Sequence, residues 1–263
     1  MKPPLEGKSA LVTAASEGLG FACAAALAEA GCSVAICGRR QHALDHAKAE
    51  LTRRGGRPPL AIAADLSRAE DVAGLVERVT RELGGPDILV VNSGHPPAGG
   101  FDKLGDGDWY AAFDLLLMSA VRLTRPIVPA MRARGGGDIV FIGSRTAREP
   151  ASELPLSTVM RLGIAGLAKM LATDLARDNI RVNLVSAGYF DTGGNRRRID
   201  ELAREEGLPR EAANARLAAH IPVGRFGDAS DLAALVVFLA SRKASFLTGA
   251  AIAIDGGASR SPF

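Results

Sequence analysis

At 263 residues the chain is near the upper limit for one hydrophobic core, and its 47% hydrophobic and 23% charged residues exclude disordered and fibrous classes. The formal net charge of +3 is small for this length, and the arginines are scattered apart from the run Arg196, Arg197 and Arg198, so no nucleic-acid partner is indicated. Cys23, Cys32 and Cys37 form no C-x-x-C pair and read as reduced core residues, and no metal site is expected. Met1 to Gly7 has no apolar leader-like region, and no later stretch approaches the roughly 18 uninterrupted apolar residues of a membrane span; the expectation is a cytoplasmic protein without a membrane partner.

Short β-rich runs alternate with longer helical patterns, the signature of repeated βαβ units and a parallel sheet. The predicted strands, in chain order, are Ala10–Thr13, Ser33–Cys37, Leu60–Ala63, Ile88–Val91, Ile139–Ile142, Arg181–Val185 and Ala251–Ile254. Most are continuous apolar runs, as strands covered on both faces should be. Helices are predicted near Gly18–Ala30, His42–Arg54, Ala69–Leu83, Asp108–Ala133, Leu154–Arg177 and Asp231–Ser241. Ser67 and Asp228 read as helix N-caps, Gly31 and Gly84 as helix stops. The fold class is therefore α/β: a doubly wound, Rossmann-type, seven-stranded parallel sheet with helices on both faces, spanning 1–263 as one domain. The Gly- and Pro-rich segment His95–Gly107 and the arginine-rich segment Asp191–Pro222, with one probable helix, follow strand ends. Both are expected to line or cover a ligand cleft, the second (about 191–222) as a substrate lid.

The first predicted strand runs into Thr13-Ala14-Ala15-Ser16-Glu17-Gly18-Leu19-Gly20 and then an alanine-rich helix. Such a glycine turn lets backbone amides and the positive helix end approach a pyrophosphate; a tight βα turn without a ligand is the alternative. The stretch resembles the T-G-x-x-x-G-x-G motif of short-chain dehydrogenases/reductases, with Ala14 in place of the first glycine. Further landmarks follow in order: Ala64-Asp65-Leu66, Asn92-Ser93-Gly94, Ser144, Ser186-Ala187-Gly188-Tyr189-Phe190-Asp191-Thr192, Phe246-Leu247-Thr248-Gly249 and Ile254-Asp255-Gly256-Gly257. The resemblance implies a dinucleotide held by Thr13, Ser16, Gly18, Leu19, Gly20, Asp65, Leu66, Asn92, Gly94, Gly188, Phe190 and Thr192. After the second strand, Gly38-Arg39-Arg40 offers two guanidiniums and no carboxylate, which favours the 2′-phosphate of NADP(H) over NAD(H). Glu17 argues the other way, and ordinary surface charge remains an alternative for Arg39 and Arg40.

In that family a helix motif Y-x-x-x-K, with a serine and an asparagine, moves the proton that accompanies hydride transfer. Aligning Gly166-Leu167-Ala168-Lys169 with the family's G-L-T-K places the tyrosine position at Ser157 and the lysine position at Arg161, and counting from Trp109 puts the asparagine position at Leu116. Ser144, Ser157 and Arg161 are thus the candidate catalytic residues, with Arg161 also on the nicotinamide ribose. A serine hydroxyl is far less acidic than a phenol, and an arginine stays protonated. His95 and Tyr189 are secondary candidates for the missing proton donor. Two readings stand: an NADP(H)-dependent oxidoreductase resembling 3-oxoacyl-carrier-protein reductases with an altered site, acting on a small carbonyl or alcohol compound or an acyl thioester, or a catalytically silent nucleotide- or ligand-binding relative. Gly163 and Gly166 on the apolar helix Leu154–Arg177 suggest packing against another copy, as a homodimer or homotetramer.

Overall fold

Strands buried on both faces have to be apolar throughout, and the central strands meet that condition in the computed structural model, which describes residues 3–55 and 57–261. The strands are β1 (Ser9–Val12), β2 (Ser33–Gly38), β3 (Leu60–Ala63), β4 (Ile88–Val91), β5 (Gly137–Ser144), β6 (Ile180–Ala187) and β7 (Ala251–Ile254). They form one sheet in the order β3-β2-β1-β4-β5-β6-β7, with every pairing parallel. The chain winds outward from β1 in one direction, then returns to β4 on its other side and winds outward in the opposite one. That reversal between β1 and β4 is where a doubly wound sheet opens a cleft at its carboxyl edge.

The helices are α1 (Gly18–Glu29), α2 (Gln41–Gly55), α3 (Ala69–Leu83), α4 (Asp106–Ala112), α5 (Ser119–Ala133), α6 (Pro155–Leu175), α7 (Gly193–Glu206), α8 (Arg210–Ala218) and α9 (Ala229–Leu239). One core lies under α1, α2 and α9, around residues such as Leu27, Ile36, Leu44 and Val236. The other lies under α3, α5 and α6, around Val79, Leu123, Phe141 and Ile164. The side chains of Cys23, Cys32 and Cys37 are buried and unpaired in these cores, and burial pushes each thiol up to about 12. Helix α6 is long and apolar enough by composition to cross a membrane. In the fold it packs Ile164, Ala168, Ala172 and Leu175 inward, and leaves Val159, Leu162 and Met170 exposed.

Several expectations are corrected. The single helix expected at Asp108–Ala133 begins at Asp106 and widens into a π-helical stretch over Phe113–Met118 before α5. A π turn inserts one residue per turn and leaves the helical periodicity almost intact. Ser67 does not cap α3: Arg68 occupies the cap position without a side-chain bond. The Asp65 carboxylate takes both donors of Ser67, the amide at 3.0 Å and the hydroxyl at 2.8 Å, so a local turn outcompetes the cap. Asp228 does cap α9, accepting from the Ser230 amide at 2.8 Å. Strand β5 continues through Ser144, and the segment after β6 holds two helices, α7 and α8.

At the amino end of β5 the buried Asp138 pairs with Arg181 at 2.6 Å. Loss of water outweighs this attraction and pushes the Asp138 carboxyl up to about 6 from an ordinary 3.8. A folded value above the unfolded one means that this group favours folding most below its unfolded value, and that the contribution is lost as pH rises through about 6. In urea denaturation between about pH 5 and about pH 8, the wild type should therefore lose about 1–1.5 kcal/mol more than Asp138→Asn, since the unfolded carboxyl is already ionised at the lower of these values. Equal losses in the two proteins would show that Asp138 stays ionised throughout.

Candidate active site

The carboxyl ends of β1 and β4 are tied together by side chains. The Thr13 hydroxyl donates to the Asn92 carbonyl at 2.6 Å and accepts from the Asn92 amide at 2.9 Å, while Asn92 Nδ2 donates to the Ala14 carbonyl at 3.2 Å. Thr13 is fully buried, so its side chain acts as this clasp. Ala14 takes a left-handed φ of +46°, a conformation that costs an alanine about 1–2 kcal/mol. At Gly20 an added Cβ would lie 2.4 Å from the Ala14 carbonyl oxygen and 2.8 Å from Asn92 Nδ2. Only glycine lets the first turn of α1 approach the strand so closely, and that approach turns the free amides of the helix start toward the cleft. Ser16 lies beside Gly38 at the end of β2, and a side chain added at Gly18 would meet Thr192 at 3.9 Å. Leu19 packs on the first core, while Gly94, in the turn after β4, borders Leu115.

At the β2 end Arg39 and Arg40 are both exposed. Arg40 pairs with Glu17 at 3.3 Å across open surface, a contact worth at most about 1 kcal/mol. Arg39 is close enough to Asp65 to help lower its carboxyl pKa, although burial opposes that shift as the largest single influence. Leu66 is buried in the second core.

Across the cleft, β5 ends in Ser144, and α6 brings Ser157 and Arg161 one turn apart on the same face. Thr146, which the sequence reading does not single out, joins them. Its amide and hydroxyl both donate to Ser144 Oγ, at 3.2 and 3.1 Å, and its Oγ1 lies 3.3 Å from Ser157 Oγ. The three hydroxyls make a row in which Ser144, already accepting two bonds, has its own proton free to point outward. Nothing in the spacing marks Thr146; it is placed by the 3₁₀ turn Arg145–Ala147 that follows Ser144. Arg161 is buried, donates from Nη1 to the Ile142 carbonyl at 2.6 Å, and has no partner for Nε. Burial pushes its pKa down to about 10. Leu116 is buried with Leu156 and Met160 in a small cluster under this helix.

His95 stands exposed at the rim. Although the residue keeps solvent access, partial burial of its ring, and then the positive charges of Arg161 and Arg197, hold its pKa below the ordinary histidine value. The Tyr189 hydroxyl accepts from Arg145 Nη2 at 2.8 Å, and its ring meets Phe226 edge to face. Phe190 is buried against Gly227, and an added Cβ at Gly188 would lie 2.4 Å from Asp255 Cβ, so the chain leaving β6 lies tight against the turn before α9 and the end of β7. Asp191 holds Arg196 with two bonds of 2.7 and 2.9 Å at the start of α7. A cavity of about 130 Å³ lies beyond Tyr189, among Ile221, Val223 and Asp255. A larger one, of about 340 Å³, lies at the opposite end of the sheet around Ser33, Pro59 and Leu83, so cavity size does not mark the active edge.

The profile of a protein family described as Enoyl-(Acyl carrier protein) reductase matches residues 13–259. Dehydrogenase/reductase SDR family member 4 of Bos taurus is 34% identical over 255 residues, spanning 97% of this chain and 88% of the relative. The chain belongs to the short-chain dehydrogenase/reductase family. Among short-chain dehydrogenase/reductase structures, L-sorbose reductase from Gluconobacter frateurii, complexed with NADPH and L-sorbose, superposes with a TM-score of 0.95 at 34% identity, covering 99% of this chain and 100% of that one. A short-chain oxidoreductase from Pseudomonas aeruginosa PAO1, described as containing an atypical catalytic center, superposes with a TM-score of 0.90 at 32% identity, covering 98% and 99%. The protein is thus an oxidoreductase of this family in fold and relationship.

The glycine turn yields a paired expectation. Ala14→Gly relieves the left-handed strain of about 1–2 kcal/mol at a cost of about 0.4–1 kcal/mol in unfolded-state entropy, and should raise thermal stability slightly. Gly20→Ala should lower it by about 1–3 kcal/mol through overpacking. Calorimetric melting of both variants checks this, and a Gly20→Ala protein as stable as wild type would refute the close approach.

Proposed function

We propose that this protein is an NADP(H)-dependent oxidoreductase that interconverts a small carbonyl compound and its alcohol, akin to 3-oxoacyl-carrier-protein reductases, with an altered proton-transfer site. The reading rests chiefly on the hydroxyl row Ser144–Thr146–Ser157 beside Arg161, set across the cleft from the glycine turn.

The residues present fit a dinucleotide. Gly20 leaves room for backbone amides to approach a pyrophosphate. The weak, exposed Arg40–Glu17 contact is readily exchanged for a 2′-phosphate, which Arg39 and Arg40 would hold with charge-assisted bonds. When bound, the nicotinamide supplies or accepts the hydride. Ser144 would direct its outward O–H as a hydrogen bond to the carbonyl oxygen, keeping its own proton, and the Arg161 charge would favour the alkoxide that develops there. Neither Ser157 nor Arg161 releases a proton near neutral pH, so the alkoxide takes its proton from water or from the rim. General acid–base catalysis is worth about 10²–10⁴-fold, and turnover slower than that of a phenol-bearing relative by this order is the consequence. The segment 191–222, anchored by the Asp191–Arg196 pair, closes over the substrate. The exposed Val159, Leu162 and Met170 of α6 provide an apolar face for self-association.

With NADPH and a panel of small ketones and 3-oxoacyl thioesters, wild type should consume cofactor while Ser144→Ala does not. The double variant Ser157→Tyr, Arg161→Lys should raise kcat by about 10²-fold or more. Tight NADPH binding with no turnover by either protein would instead establish the catalytically silent reading. By calorimetry, Arg39→Ala with Arg40→Ala should weaken NADPH about 10–100-fold and leave NADH unchanged; equal losses for the two cofactors would refute the NADP(H) assignment.

A further inference from the structure

Arg161 presents a buried charge without a counter-ion. It is 5% exposed, its Nη1 has one carbonyl dipole as partner, the Ile142 oxygen at 2.6 Å, and its Nε has none. A guanidinium taken out of water costs several kcal/mol unless it is paired and fully hydrogen-bonded, which is why buried arginines sit against carboxylates. The acids of this region are engaged elsewhere: Glu149 with Arg145 and the backbone amide of Ser261, Asp191 with Arg196, and Asp255 with the amides of Gly257 and Ser259. Among the described residues, no ion pair reaches Arg161.

We propose that the substrate itself supplies the missing charge: a small oxo acid or hydroxy acid whose carboxylate pairs with Arg161 while Ser144 faces its carbonyl or hydroxyl oxygen. This deepens the oxidoreductase reading by naming its substrate class. Ribose hydroxyls would satisfy hydrogen-bond donors but leave the charge uncompensated, whereas a carboxylate does both. The rim adds to the same field, since Arg161 and Arg197 both act on His95 and no acid figures among the influences on that ring. A neutral ketone of the same shape leaves the guanidinium desolvated and unpaired, and is disfavoured for that reason.

The test compares acetoacetate with acetoacetamide, which share a skeleton and differ in charge, by calorimetry on the protein saturated with NADPH. Acetoacetate should bind about 10–100-fold more tightly, the range of one charge-assisted bond. Arg161→Lys should keep that preference and Arg161→Met should abolish it. Because Arg161→Met is able to unfold the protein, the wild-type melting temperature is read alongside, and should rise with acetoacetate and not with acetoacetamide. Equal binding of the two compounds, binding of neither, or a preference that survives in Arg161→Met each overturn the proposal. Discrimination in binding without NADPH oxidation would uphold the anion site and reject the reductase reading, so the two fail separately.

Discussion

The clasp between Thr13, Ala14 and Asn92 is the constraint on which the rest of the molecule depends. Winding reverses between β1 and β4, so the helices on the two sides diverge there and leave a crevice that nothing in the sheet fills. Hydrogen bonds from one threonine and one asparagine hold the two strand ends in register across the gap. Gly20 then lets α1 start close against them. The hydroxyl row and the guanidinium on the far wall are aligned with the glycine turn because β4 and β5 pair directly, from Ile88 with Asp138 to Val91 with Phe141.

Most of this scaffold was legible in the residues, for a physical reason. A central parallel strand has both faces covered, so it must read as an unbroken apolar run, and Ile88–Val91 or Ile139–Ile142 can hardly be read otherwise. The edges were harder. Strand β7 alternates between exposed and half-buried residues, as a strand at the border of a sheet does. Elements whose geometry depends on competition between local bonds were not legible: Ser67 has the chemistry of a cap but is claimed by Asp65, and the π-helical stretch at Phe113–Met118 keeps an almost helical periodicity.

The candidate site was legible in its positions and illegible in its connections. Ser144, Ser157 and Arg161 follow from motif spacing, and α6 does carry the last two on one face. That Thr146 wires the two serines together, or that Arg161 lacks a counter-ion, depends on which backbone turn follows β5 and on how many acids are already engaged. Arginine in a position of this kind is not a larger lysine. It cannot shed its proton to relieve burial, so the cost of its charge has to be met by a partner.

The buried thiols have a practical corollary. A thiol whose pKa is near 12 holds almost no thiolate at neutral pH, and the thiolate is the form that attacks oxidants and alkylating reagents. The native thiols should therefore react only slowly with maleimides. A cysteine placed on the exposed face of α6 or on the rim near Arg197 becomes a single addressable handle for a dye or spin label, with the three natural cysteines left in place.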